Sequence, residues 1–209
     1  MKFYDCQTAP SPRRVRIFIA EKGIDIPVVQ VDLRNREQLE PKFSEINYYR
    51  TVPVLELDDG TKLNSTQGIW RYLEEAYPDP PLMGRNATEK GVVADLDWRM
   101  EMDGFMAVGE ALRNSVSRLK DRALVGRYDY AQIPALAERG MSRIPRFFED
   151  LERILEGSEY LAGDAYSVAD ITAQVSVDFA GWLKLTIPPS AKNARRWHEM
   201  VSARPSAAL

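Results

Sequence analysis

Apolar and polar positions change rhythm along this chain. Residues 2–6 read as a short strand, followed by the turn formers Gln7-Thr8-Ala9-Pro10-Ser11-Pro12. Val15, Phe18, Ile19 and Lys22 then recur at helical spacing. Local chemistry sets the ends of that helix, with Ser11 suited to the N-cap, Pro12 to the first turn and Gly23 to the stop. Residues 26–33, rich in β-branched side chains, predict a second strand, and residues 36–45 a polar helix. Val52-Pro53-Val54-Leu55-Glu56-Leu57 turns through Asp58-Asp59-Gly60 into Thr61-Lys62-Leu63, the signature of a β-hairpin. Residues 65–77 return to helical period, with Ile69, Tyr72, Leu73 and Ala76 on one face, and Pro78 stops them. The predicted order is β-α-β-α-β-β-α.

A breaker-rich stretch, Pro78-Asp79-Pro80-Pro81-Leu82-Met83-Gly84, ends this alternation. Beyond it Ile144, Phe147, Phe148, Leu151, Ile154 and Leu155 form one apolar stripe at helical period. Val168, Ile171, Thr172, Val175, Phe179 and Trp182 form another. The chain therefore reads as an α/β N-terminal domain over residues 1–77, with a mixed four-stranded sheet, a linker over 78–88, and an all-α bundle over 89–209.

Composition narrows the partners. With 44% hydrophobic and 28% charged residues, the 209-residue chain has the makings of a sizeable core. A net charge of −3 gives no broad attraction to nucleic acid or an anionic membrane, and the run Arg13-Arg14-Val15-Arg16 reads as a solvated helix face. Neither partner is expected. No apolar stretch approaches the roughly 20 residues that cross a bilayer, and the start lacks an apolar leader, so a cytoplasmic protein is expected. One cysteine, Cys6, leaves no internal disulfide and no Cys-x-x-Cys pair, and reads as a packing residue. The single histidine, His198, reads as a surface helix residue. One His and one Cys give no nitrogen- or sulfur-rich metal site, so no metal is expected.

Four features together resemble the glutathione transferase superfamily. They are the Thr51-Val52-Pro53-Val54-Leu55 strand start, the gapless run from Asp58 to Glu74, and the segment Gly163-Asp164-Ala165-Tyr166-Ser167-Val168-Ala169-Asp170-Ile171-Thr172 with its Ser-x-x-Asp capping pattern. The fourth is the order of an α/β half, a Pro-rich linker and a helical half. Residues Pro10 to Ile17 and Phe179 to Leu185 look closest to a bacterial branch similar to the fungal second-type transferases. The resemblance implies a thioredoxin-like N-terminal domain with a cis Val52–Pro53 peptide, glutathione as co-substrate, a small-molecule electrophile as acceptor, and a homodimer using residues 98–103.

The family's site residues carry over position by position. Relatives read Glu/Gln-Ser where this chain has Ser65-Thr66, so the glutathione site implied is Val52, Pro53, Ser65, Thr66 and Lys42, with the usual acid missing. The position where other classes place catalytic Ser or Cys holds Ala9. Thiol activation then falls to Ser11 and Thr8, which flank it, and to Asn114, implied to hold a water. Free thiols have a pKa near 8.5, and a helix N-terminus lowers that by roughly one unit, so a further donor is needed. Phe105, Met106 and Tyr128, from a set that includes Trp98, Met102 and Tyr130, are the implied acceptor pocket. Tyr48-Tyr49-Arg50 replaces the Pro-Ala-Gly usual in relatives. The function implied is thiolate attack on an apolar electrophile; the alternative is a fold-retaining binding protein whose catalytic site has decayed.

Overall fold

A computed structural model describes all 209 residues, Met1–Leu209. They form two compact units: Met1–Pro80 with Leu124–Asp129 and Leu209, and Pro81–Ala123 with Tyr130–Ala208.

The first unit is built on a mixed four-stranded sheet in the order β2-β1-β3-β4. Its strands are β1 (Lys2–Asp5), β2 (Val28–Gln30), β3 (Val54–Glu56) and β4 (Lys62–Leu63). β1 runs parallel to β2 and antiparallel to β3, and β3 turns back onto β4 through Gly60 at φ +86°. Side-chain alternation divides the sheet: Tyr4 and Val54 pack with Val31 and Phe43 on one face, so Phe3 and Leu55 point to the other. Three helices accompany it, α1 (Pro10–Glu21), α2 (Pro41–Ile46) and α3 (Thr66–Ala76). α1 packs against α3, with Phe18 stacked on Trp70 at 5.9 Å between ring centres.

Three expectations for this unit need correction. α1 begins at Pro10 with Ala9 as its N-cap, because proline is favoured at the first helical position and takes it ahead of Ser11. Ser11 is therefore a first-turn residue whose hydroxyl does not cap the helix. The polar helix of residues 36–45 splits into a 3₁₀ turn, Glu37–Leu39, and α2. Pro41 forces the break, since it holds Glu40 extended at ψ 149°. β2 is shorter than residues 26–33 because only three of its residues find partners on β1.

The second unit is helical: α4 (Ala87–Arg99), a π-helical turn Met100–Phe105, α5 (Met106–Ser115), α6 (Pro134–Ile154), α7 (Val168–Ala180) and α8 (Lys192–Ser202). α5 and α6 meet almost backbone to backbone. A side-chain carbon at Gly140 would stand 2.6 Å from the Ala111 nitrogen and 2.7 Å from the Ala107 oxygen, so only glycine fits. α7 is buried along nearly its whole length and starts with the capping box of Ser167 and Asp170. Its stripe ends sooner than spacing suggests, because the helix stops at Ala180. Trp182, half exposed in the 3₁₀ turn Gly181–Leu183, packs edge-on to Phe179 at 5.0 Å.

Candidate functional site

The N-termini of α1 and α3 are brought together in the first unit. Ser11 Oγ lies 3.3 Å from Thr66 Oγ1, a contact between residues far apart in the chain. Arg14 Nη2 donates to the same Ser11 oxygen at 3.3 Å. The guanidinium takes one of the two lone pairs of that oxygen, and the hydroxyl proton and the second lone pair stand towards Thr66, where either hydroxyl can donate. Ala9 caps α1 with no side-chain hydrogen bond, and Ser65 caps α3 by accepting from the Gly68 N–H at 3.1 Å. Helix N-termini carry unpaired N–H groups and the positive end of the dipole, so this edge of the unit favours an anion. Thr8 is exposed in the β1–α1 loop, its Oγ1 3.6 Å from the Sγ of buried Cys6. Cys6 and Thr8 line a shallow groove with Gln30, Val31 and Leu33.

Beside these termini runs the segment leading into β3. The Val52–Pro53 peptide is cis, and β3 pairing starts at Val54, so the Val52 backbone stands outside the ladder. Asn47, which sequence reading missed, organises the approach. Its Nδ2 donates to Thr51 O at 2.8 Å and to Thr51 Oγ1 at 3.0 Å. Its Oδ1 accepts from the Tyr49 N–H at 3.0 Å and from Asn64 Nδ2 at 3.3 Å. One buried amide thus ties the residue before Val52 to the residue before Ser65. The available signal was an asparagine opening a turn, a residue type that bonds to backbone two residues on. Arg50 closes the loop at φ +57°, a left-handed conformation that favours glycine, with Nε donating to Ser44 Oγ at 2.9 Å. Lys42 lies exposed on α2.

Under this loop Tyr4 donates to Glu56 Oε2 at 2.8 Å. Burial foremost, then the bond to Glu56 and its charge, pushes the phenol up to about 12. A folded value above the ordinary 10 means that the stabilisation is complete below pH 10 and is lost as pH rises towards 12. Ultraviolet titration should find Tyr4 ionising well after ordinary tyrosines, and Tyr4→Phe should flatten the alkaline fall in stability between those values.

In the second unit the structure gives Asn114 a different occupation from the implied water holder. It is buried, Nδ2 donates to Glu110 O at 2.9 Å, and Oδ1 accepts from the Ile133 N–H at 2.9 Å. Its amide fastens the end of α5 to the start of α6. Phe105 is half-buried and packs on Phe179 at 5.7 Å, while neighbouring Met106 is exposed. Tyr128, exposed, belongs to the first unit. There the Arg127 guanidinium stands 3.9 Å from the Tyr48 ring centre and 4.9 Å from that of Tyr128. His198 is not a free surface residue, since it is half-buried with Nε2 2.9 Å from Asp178 Oδ1. No helix is long and apolar enough to cross a membrane.

Residues 3–81 match the family model for the glutathione S-transferase N-terminal domain, and residues 130–208 that for the C-terminal domain. Glutathione S-transferase 2 of Saccharomyces cerevisiae is 32% identical over 211 residues, covering 99% of this chain and 87% of the yeast protein. Among solved structures, a glutathione S-transferase domain-containing protein of Marinobacter aquaeolei VT8 superposes with a TM-score of 0.91 at 34% identity, covering 99% of this chain and 100% of that one. The yeast protein Gtt2 superposes with a TM-score of 0.88 at 30% identity, covering 100% of this chain and 99% of the other.

Proposed function

We infer, from a chain that belongs to the glutathione S-transferase family in both its halves, that it binds glutathione along the Val52 edge and activates the thiol for attack on an apolar electrophile. The observation that carries this reading is the 3.3 Å approach of Ser11 and Thr66 hydroxyls, where two helix N-termini converge on one edge. Val52 offers its backbone to the peptide of glutathione, as an added strand would take it, with Pro53 fixing the edge. Ser65, Thr66 and Lys42 receive the charged ends. Ser11 donates its proton to the sulfur, with Thr8 as the second hydroxyl nearby, and the helix dipole adds to the effect. The thiol proton leaves to solvent, the sulfur forms a bond to the electrophilic carbon, and the leaving group departs with its electron pair. Tyr128, which belongs to the same unit, provides ring surface for the acceptor. Asn114 has no part in this reading, its amide being engaged between α5 and α6.

Ala9 favours a second reading, a glutathione-binding protein without catalysis, since the α1 cap has no side-chain donor. Retention on immobilised glutathione together with conjugation of chlorodinitrobenzene supports the enzyme. Retention with no conjugation by wild type, and none lost in Ser11→Ala, supports the binding protein. Absence of retention overturns both.

Ser65 sets an expectation for affinity. A carboxylate at this place would bond the γ-glutamyl ammonium with charge assistance, worth roughly 1.5–3 kcal/mol against about 1 for a neutral partner. Aspartate also caps helices as well as serine does, so Ser65→Asp keeps the bond to Gly68. Calorimetry should show glutathione binding to Ser65→Asp several-fold to about tenfold tighter than to wild type.

The working form is a homodimer, and the exposed apolar residues Trp98 and Met102 on the α4 and π-turn surface support it. Light scattering at micromolar concentration should report twice the 23.8 kDa of the chain, and Trp98→Glu should return it to one.

A further inference from the structure

Arg127 carries a charge that the chain itself does not neutralise. Tyr48 and Tyr128 flank its guanidinium at 3.9 and 4.9 Å, no carboxylate pairs with it, and its Nη1 is shut off from water without an acceptor. A desolvated cation is costly unless an anion or a hydrogen-bond acceptor meets it. The rings supply partial compensation through their faces, and the Nε and Nη2 groups, which unlike Nη1 are not closed off, are left as the edge that an outside carboxylate can meet.

Location gives this cation a use. Gly126 follows the Tyr48–Tyr49 loop closely, so that a side-chain carbon there would lie 3.6 Å from Tyr49 O. That loop is the one Asn47 ties to Thr51, directly before Val52. Tyr48 and Tyr128 are both more than half exposed, and their rings offer flat surface on which an aromatic ligand stacks. We propose that Arg127 is a specificity-determining residue that receives a carboxylate on an aromatic acceptor, with Tyr48 and Tyr128 holding the ring. The proposal rests on the reading of the first unit as the glutathione site. A carboxylate of glutathione itself has the same chemistry, and the experiment separates the two sources.

Calorimetry on wild type, Arg127→Met and Arg127→Lys would compare glutathione, S-benzylglutathione and S-(4-carboxybenzyl)glutathione, which differ stepwise by a ring and a carboxylate. Wild type should bind the carboxybenzyl conjugate about tenfold tighter than the benzyl one, the size of one charge-assisted hydrogen bond. Arg127→Met should abolish that preference and leave glutathione unchanged, and Arg127→Lys should keep part of it. Equal binding of the two conjugates by wild type overturns the proposal. So does a loss of glutathione affinity in Arg127→Met as large as the loss for the carboxybenzyl conjugate, which assigns Arg127 to the tripeptide. Titration with 2-naphthoate and 2-naphthamide covers a failure of the underlying reading. If no glutathione compound binds, naphthoate binding that Arg127→Met removes sustains the carboxylate site, and indifference to both naphthyl probes ends it.

Discussion

Asp170→Ala is expected to destabilise the protein by about 4 kcal/mol, a fall in melting temperature of roughly 8–16 °C for a chain of this size. The carboxylate is fully buried and accepts from the Leu161 N–H at 3.0 Å, the Ser167 N–H at 3.0 Å, Ser167 Oγ at 3.1 Å and Trp197 Nε1 at 2.9 Å. Burial pushes its carboxyl up and these donors pull it down. Alanine would leave three N–H groups buried without acceptors, each costing about 1–3 kcal/mol, and would remove half of the capping box. Asp170→Asn should cost less, because one amide oxygen still serves Leu161 and Trp197 while its NH₂ opposes the Ser167 donors. Thermal melts followed by circular dichroism would rank the two. A fall of under about 3 °C in the alanine variant contradicts the account.

Glu74→Leu should be comparably damaging in the first unit. Lys22 has a wholly buried side chain whose Nζ lies 2.6 Å from Glu74 Oε2 and donates to Pro80 O at 2.7 Å. Removing the carboxylate strands an ammonium in the interior, and breaking such a pair costs about 3–5 kcal/mol. Replacing both partners is different, since buried pairs often exchange for apolar residues with little loss. Lys22→Met/Glu74→Leu is therefore expected to recover much of the stability lost by Glu74→Leu, the Pro80 contact excepted. Urea denaturation of the two single variants and the double variant measures the coupling.

What could be read from the sequence was whatever local chemistry determines. The hairpin at Gly60 and the capping box of Ser167 and Asp170 involve residues within a few positions of one another, and the structure has both. Where two local preferences competed the sequence reading went wrong, as at Ser11, where the adjacent Pro10 took the helix start. The candidate site was legible through family resemblance and hardly at all through residue chemistry. The approach of Ser11 to Thr66, the reach of Asn47 to Asn64 and the seating of Arg127 on Tyr48 all join segments that only tertiary packing brings together. Asn114 shows the converse, since its acceptor is used by Ile133, a partner no spacing rule identifies.

The π-helical turn Met100–Phe105 acts as a phase shifter between α4 and α5. Its bonding reaches one residue further than in an α-helix, as when the Met106 N–H bonds to Glu101 O. Successive residues of an α-helix are about 100° apart around the axis. Rewinding the same residues as an unbroken α-helix would rotate one half of the rod against the other by about that angle, whereas deleting one residue along with the wide turn would leave the two halves at their present bearing. With α5 clamped against Gly140, the rotation would fall on α4 and carry Trp98 to a different bearing. The surface this rod presents is thus set by the width of one turn as well as by residue identities, and tightening that turn at constant length would re-aim it with every side chain of α4 retained.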